Sequence, residues 1–326
     1  MALHIVRTRA RQLANNEVRA ALSAALEGTG RALVFASSFD QALRLQHELA
    51  DAGFPTLGLT VTTPAAWADE RWEVYGDGRH LVGDETRVAL MRLELDGMAG
   101  IELTEEQSPL PQSPGMRKML CSLAKDALPA IPRTSAGDLD LSAPLARDLT
   151  PGERRACQIA CNYASRIASR GFAERSEAMV RLPSVLGEAG AVQPPIVCCG
   201  IDSLPWATRR MLAELAASTE VTLVVRERGS LADQMAELLV AQLTAQAGAL
   251  GVTVDMPDGL SEATGAPSEG ASDAACDADI DPELAALKAA IFREDAPTIS
   301  ATGAVSLLEP AGPAAQAEAL CQQIQD

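Results

Sequence analysis

Two pairs of hydroxyl residues follow short apolar runs in the first quarter of the chain. Ser37 and Ser38 come directly after the run Ala32–Ala36, and Thr62 and Thr63 end the next such run. Ser38 opens a Ser-x-x-Gln capping box and Thr63 precedes a proline, so each pair marks the start of a helix. Hydroxyls and backbone N–H groups at helix N-termini bind phosphate oxygens without reading base sequence. The four residues are therefore candidate phosphate contacts; the alternative is that Ser38 and Thr63 serve only as N-caps.

The segment after the first predicted strand, residues 7–16, is rich in arginine but contains neither glycine nor lysine. A nucleotide-binding loop needs glycines for close approach of the backbone and a lysine for the β- and γ-phosphates. The arginines could meet a phosphate, but the alternative is a solvated charged turn. We therefore expect no ATP binding. Gly28-Thr29-Gly30 lacks a third glycine and precedes a strand, which argues against a Rossmann dinucleotide site.

Seven cysteines and three histidines are spread through the chain. Their spacing matches neither a disulfide framework nor paired metal-binding knuckles. Cys157 and Cys161 lie four residues apart on a predicted helix, where two buried small apolar side chains explain them better than a metal site. We therefore expect no metal, no cofactor and no catalytic residue in this chain.

The acidity of the chain is concentrated in one region. The net charge is −17, and residues 230–295 carry −11 of it, from 13 acids against Lys288 and Arg293. The remaining −6 does not exclude a nucleic acid as partner. No stretch of 18 uncharged apolar residues and no secretory leader occur, so we expect no membrane span and a cytoplasmic location with reduced thiols.

The elements that would position the hydroxyl pairs alternate between strand and helix. Continuous apolar runs predict buried strands, and the amphipathic segments between them predict helices. The resulting β-α-β-α-β-α order is typical of a parallel α/β sheet. The predicted strands are 3–6, 32–36, 56–62, 196–200 and 221–225.

Composition divides the chain into four parts. Residues 1–75 and 191–254 are predicted to form a discontinuous α/β core domain, and the mostly helical residues 76–190 an inserted domain. Residues 255–283 contain nine acids and no lysine or arginine, which predicts an acidic flexible segment. Residues 284–326 predict the start of a second, truncated domain, as in an excised fragment of a longer protein.

Several of these segments, in this order, resemble motifs of superfamily 1 DNA helicases. Residues 32–42 resemble motif Ia, in which small hydroxyl residues follow a buried strand and precede a helix. Residues 61–68 resemble motif Ib, in which a strand ends in threonine and a helix begins. Residues 83–91 are similar to the opening of that family's inserted helical subdomain, and residues 149–163 to its later tyrosine-bearing helix.

Residues 196–204 occupy the place of the Walker B strand, but this strand ends in Gly-Ile-Asp rather than Asp-Glu. Asp202 is thus a degenerate match to the Walker B position. This ending resembles the AddB subunits of AddAB-type helicase–nucleases, in which a superfamily 1 helicase-like region is followed by a nuclease. Residues 305–309 and 317–320 look like the start of the second helicase-like domain of that family.

The resemblance implies a P-loop-NTPase-like parallel sheet with an inserted, mostly helical domain. It implies an ATPase-inactive region that acts in double-strand-break processing and recombinational repair, in a full-length exonuclease subunit that would be a hydrolase. Ser37, Ser38, Thr62 and Thr63 would contact single-stranded DNA weakly, while a partner subunit of AddA type drives translocation. Two other classes stay open: a non-enzymatic protein-interaction scaffold derived from a helicase fold, favoured by the low basic charge, and an unrelated α/β enzyme with a nucleotide-sugar-like ligand.

Overall fold

A computed structural model describes most of the first 256 residues and a few segments beyond them. The described residues are 2–10, 12–98, 113–127, 129, 150–227, 233–256, 282–290, 298 and 303. The chain divides into two compact units, one of residues 1–227 with 234–260 and one of residues 228–233 with 261–326. In its described part the second unit contains the helix Pro282–Ala290. Residues 257–281, which make up most of the predicted acidic segment, lie outside the described residues. So do residues 305–309 and 317–320, which resemble the start of a second helicase-like domain.

The described elements of the first unit alternate between strand and helix as expected. They are β1 (Ala2–Thr8), α1 (Asn16–Thr29), β2 (Ala32–Phe35), α2 (Phe39–Asp51), β3 (Leu59–Thr62), α3 (Pro64–Tyr75), β4 (His80–Leu81), α4 (Asp84–Met98), α5 (Pro114–Ser122) with a π-helical turn (Leu123–Ala127), α6 (Pro151–Ser169), β5 (Phe172–Ala173), α7 (Arg175–Glu188), β6 (Ile196–Cys199), α8 (Trp206–Leu215), β7 (Val221–Arg226), α9 (Asp233–Ala249) and β8 (Thr253–Asp255). The strand predicted from residue 56 begins only at Leu59. Helix α9 and strands β4, β5 and β8 were not individually predicted.

Six strands form one parallel sheet in the order β3-β2-β6-β7-β1-β8. The prediction of a parallel α/β sheet is thereby confirmed. Strands β2 and β6 are buried along their whole length, as expected for central strands that helices cover on both faces.

The helices divide between the two faces of the sheet. On one face, α1 and α2 pack against Ala32 and Val34 of β2. On the other face, Leu33 and Phe35 of the same strand belong to one buried cluster that also contains side chains of α3, α7, α8 and α9. The helices that follow β2 and β6 therefore leave on opposite faces. In open α/β sheets a reversal of this kind places the ligand-binding crevice at the carboxyl ends of the two strands.

Helices α4, α5 and α6 form a separate group between β3 and β6. Their apolar side chains, among them Met91, Leu120 and Tyr163, make a hydrophobic cluster of their own. Strand β4 pairs in parallel with β5, so two hydrogen-bonded strands flank this group. Helix α6 begins with a capping box, in which Thr150 and Glu153 exchange side-chain and backbone hydrogen bonds.

Candidate nucleic-acid interface

The four predicted hydroxyl residues lie together at the ends of neighbouring strands. They are Ser37, Ser38, Thr62 and Thr63. The register pairs Phe35 of β2 with Thr62 of β3, and the N–H of Ala36 donates to the carbonyl of Thr62 at 3.0 Å. The structure thus brings both hydroxyl pairs to the carboxyl edge of the sheet, side by side.

Ser38 and Thr63 are N-caps, as the sequence predicts, but Oε1 of Gln41 accepts no hydrogen bond from Ser38, so the predicted capping box is only half formed. The hydroxyl oxygen of Ser38 accepts the N–H of Gln41 at 3.2 Å, and that of Thr63 accepts the N–H of Ala66 at 3.2 Å. Each oxygen acts as an acceptor in its cap, so the hydroxyl proton is not used by the cap. Capping and phosphate contact are therefore compatible at both positions.

Phe39, the first residue of α2, belongs to the same edge and was missed by the sequence analysis. Its side chain is 76% exposed, and Leu43, one turn further along, is 43% exposed. The signal was present, because these two apolar positions fall outside the stripe of buried positions on α2, Ala42, Leu45 and Leu49. An exposed aromatic ring beside phosphate-binding groups is typical of surfaces that bind single-stranded nucleic acid by base stacking.

Asp202 follows the next strand of the sheet, three residues after β6 ends. Gly200 and the buried Ile201 separate it from the strand, and its own side chain is half-buried. No acidic residue stands directly beside it in the sequence. Among the residues that the structure describes, no group of three or more His, Cys, Asp or Glu side chains could hold a metal ion.

The cation at the end of β1 is paired within the chain. Arg7 donates to Glu227 at 2.7 Å and to Oε2 of Glu237 at 3.0 Å. Hydrogen bonds from Glu237 and then Glu227 raise the pKa of Arg7 above its ordinary value, despite the opposing effect of burial. Arg7 therefore offers its charge to the protein's own carboxylates rather than to a phosphate.

Helix α2, which begins at the Ser37–Ser38 pair, offers little free positive charge. Arg44 of α2 bonds Glu48 at 2.7 Å, and Asp40 is exposed in the first turn of α2. Polyanion binding at this edge would therefore depend on hydroxyls, backbone amides and stacking, and would be weak.

The described part of the chain contains no helix long and apolar enough to cross a membrane. Searches against protein-family models and against curated protein sequences give no match to this chain. The interface is therefore interpreted from its own geometry.

Proposed function

We propose that this chain is the N-terminal, helicase-like part of an AddB-type helicase–nuclease subunit, and that it contacts single-stranded DNA without hydrolysing ATP. In this proposal a partner subunit of AddA type supplies ATP-driven translocation during double-strand-break processing. The full-length protein would be a subunit of an ATP-dependent exonuclease.

The observation that carries the proposal is the grouping of two helix N-termini at one edge of the sheet. Helices α2 and α3 begin directly after the neighbouring strands β2 and β3. The positive ends of both helix dipoles and four hydroxyl groups therefore lie at the same edge. The exposed ring of Phe39 adds a surface on which a base can stack.

The finer architecture belongs to the same proposal. A P-loop-NTPase-like sheet with an inserted helical domain accounts for helices α4, α5 and α6, which lie between β3 and β6 in the chain and have their own hydrophobic cluster. The paired strands β4 and β5 would be the two connections to that inserted domain.

The absence of ATP hydrolysis is supported by the residues that follow β1. Residues 7–16 contain no glycine and no lysine, and Arg7 is engaged by Glu227 and Glu237. A triphosphate would find neither the glycine backbone nor the lysine of a phosphate-binding loop at this position.

The proposal is tested by fluorescence anisotropy with a labelled oligothymidine of about 20 nucleotides at several salt concentrations. Wild-type protein should bind weakly, with an affinity that falls steeply as salt rises. The double variant Ser37→Asp/Thr62→Asp places negative charge against the phosphates and leaves both N-caps intact. It should abolish binding, while the melting temperature stays within a few degrees.

The matched control is Thr56→Asp/Ser218→Asp. Both residues are exposed and precede β3 and β7 at the opposite, amino edge of the sheet. This variant adds the same charge and should bind like wild type. Unchanged binding by the Ser37→Asp/Thr62→Asp variant would show that DNA does not pass over this edge.

A second candidate function is a protein-interaction scaffold derived from the same fold. It is favoured by the net charge of −17 and by the ion pairing of Arg44 near the hydroxyl pairs. A scaffold would bind no single-stranded DNA at low salt, whereas the DNA-contacting subunit would. The same anisotropy experiment therefore separates the two functions.

A further inference from the structure

The crevice between the carboxyl ends of β2 and β6 is filled by the chain's own side chains. Gly200, the residue after β6, has a φ of +64°, and a Cβ placed on it would lie 2.7 Å from the side chain of Leu13 and 2.7 Å from Oε1 of Gln41. Leu13 comes from the segment before α1, and Gln41 from α2. The space in which a sheet of this topology binds its ligand is thus occupied.

Glu48 holds the same segment from the side of α2. One carboxylate oxygen accepts the N–H of Ala14 at 2.9 Å, and the other accepts the guanidinium Nε of Arg44 at 2.7 Å. Ala14 directly precedes Asn15, the N-cap of α1. A carboxylate therefore lies at the start of α1, where a helix attracts an anion.

Two other polar side chains at the start of α1 are also hydrogen-bonded within the chain. The Asn15 side-chain oxygen accepts the N–H of Val18 at 2.9 Å, and its amide donates to the carbonyl of Gln12 at 3.1 Å. The buried hydroxyl of Thr8 donates to Glu17, in the first turn of α1, at 3.0 Å. These groups are engaged without an external ligand.

We propose that Glu48 and Leu13 keep this crevice closed as a self-occupied anion site. The carboxylate of Glu48 takes the place of a ligand anion at the start of α1, and Leu13 covers the end of β6. The core of the protein is thereby stable without a bound nucleotide. The inference rests on the proposed absence of ATP binding and extends it by naming the residues that fill the site.

The test compares thermal unfolding in inorganic phosphate and in chloride at equal ionic strength. Wild type should show the same midpoint in both. The variant Glu48→Ala should unfold several degrees lower in chloride and regain part of that loss in phosphate. The freed N–H of Ala14 and the guanidinium of Arg44 can then bind phosphate, and a ligand that binds only the native state stabilises it.

The matched control is Glu27→Ala, which removes the same charge from an exposed position in the last turns of α1. Its midpoint should not depend on the anion. Titration calorimetry should show the phosphate affinity of Glu48→Ala at least about tenfold above that of wild type and of the control, a difference of about 1.4 kcal/mol.

Three results would overturn the inference: a wild-type midpoint that phosphate raises, a Glu48→Ala midpoint equal to that of wild type, or a lowered midpoint that phosphate does not raise. If Glu48→Ala does not yield folded protein, Glu48→Leu takes its place, because it also removes both acceptor oxygens and keeps more apolar contact; the expected and overturning results are the same. Wild type that still binds no MgATP would leave the proposed function standing even if the variant overturned this inference. The anisotropy experiment with single-stranded DNA tests different residues, Ser37 and Thr62.

Discussion

Arg87 and Glu174 form a bidentate ion pair in the interior of the protein. Arg87 Nε lies 2.8 Å from Glu174 Oε1, and Arg87 Nη2 lies 2.8 Å from Glu174 Oε2. The two side chains are only 7% and 3% exposed. The hydroxyl of Tyr163 donates to Glu174 at 2.8 Å. Glu174 holds the N-cap position of α7, a helix that packs on the sheet, so the ion pair and the Tyr163 bond connect α4 and α6 to the start of α7.

Removal of Glu174 should be costly, because Arg87 then stays buried with only the exposed Asp84 as its counter-charge. Glu174→Gln keeps the side-chain volume and should lower the free energy of unfolding by roughly 3–5 kcal/mol, measured by urea denaturation. The control is Arg92→Ala, since Arg92 is 68% exposed and lies 3.7 Å from Asp96. That change should cost less than about 1 kcal/mol. Equal losses for the two variants would contradict the prediction.

Gly76 and Gly28 should respond to alanine with opposite signs. A Cβ on Gly76, which follows α3, would lie 2.4 Å from the carbonyl oxygen of Trp72 and 3.0 Å from its ring. Gly76→Ala should therefore lower the free energy of unfolding by about 1–3 kcal/mol. Gly28 is helical, and a Cβ on it would meet nothing within 4 Å. Gly28→Ala should raise stability by about 0.5–1 kcal/mol. Urea denaturation of the two variants measures both changes in the free energy of unfolding. Destabilisation by Gly28→Ala would contradict the prediction.

The adjacent thiols of β6 should make the protein sensitive to alkali. Burial raises the pKa of Cys198, and burial together with the nearby charge of Glu48 raises the pKa of Cys199 to about 12. In the unfolded chain both thiols ionise near pH 8.5. Above that pH the unfolded state binds fewer protons than the native state, so stability falls as pH rises.

At about pH 9.5 the expected loss is on the order of 1 kcal/mol for each thiol, relative to neutral pH. The check is urea denaturation at the two pH values with a reducing agent present. The double variant Cys198→Ala/Cys199→Ala should lose much of this pH dependence, whatever its stability at neutral pH. An identical loss in the variant would assign the alkaline sensitivity to other groups.

The strands were predictable where an apolar run is continuous, as in Ala32–Phe35 and Ile196–Cys199, because burial on both faces leaves no polar position. The predicted start of β3, at residue 56, was wrong for a local reason. The N–H of Leu59 donates to the carbonyl of Thr56 at 3.1 Å, and Gly58 has a φ of +90°. Residues 56–58 therefore form a turn. Because Leu57 is apolar, the sequence pattern extended the predicted strand through these residues.

Only the local part of the candidate site could be predicted. Capping chemistry acts within four residues, so Ser38 and Thr63 were identifiable from their neighbours. The contact between Glu48 and the N–H of Ala14 joins residues 34 positions apart. It depends on how α2 lies beside α1, and no local pattern encodes that arrangement. The filling of the crevice by Leu13 was missed for the same reason.

Phe39→Ala should weaken single-stranded DNA binding through loss of base stacking. The ring is 76% exposed and lies beside the proposed phosphate contacts, and stacking of one base on an aromatic side chain contributes about 1–3 kcal/mol, or roughly 5- to 150-fold in affinity. Anisotropy should show this loss with oligothymidine and little loss with an abasic strand of equal length. The control is Leu57→Ala, because Leu57 is 92% exposed and precedes β3 at the opposite edge of the sheet; it should bind both strands like wild type. Equal affinity of Phe39→Ala and wild type for oligothymidine would remove stacking from the proposal and leave only the hydroxyls and helix N-termini to bind the strand.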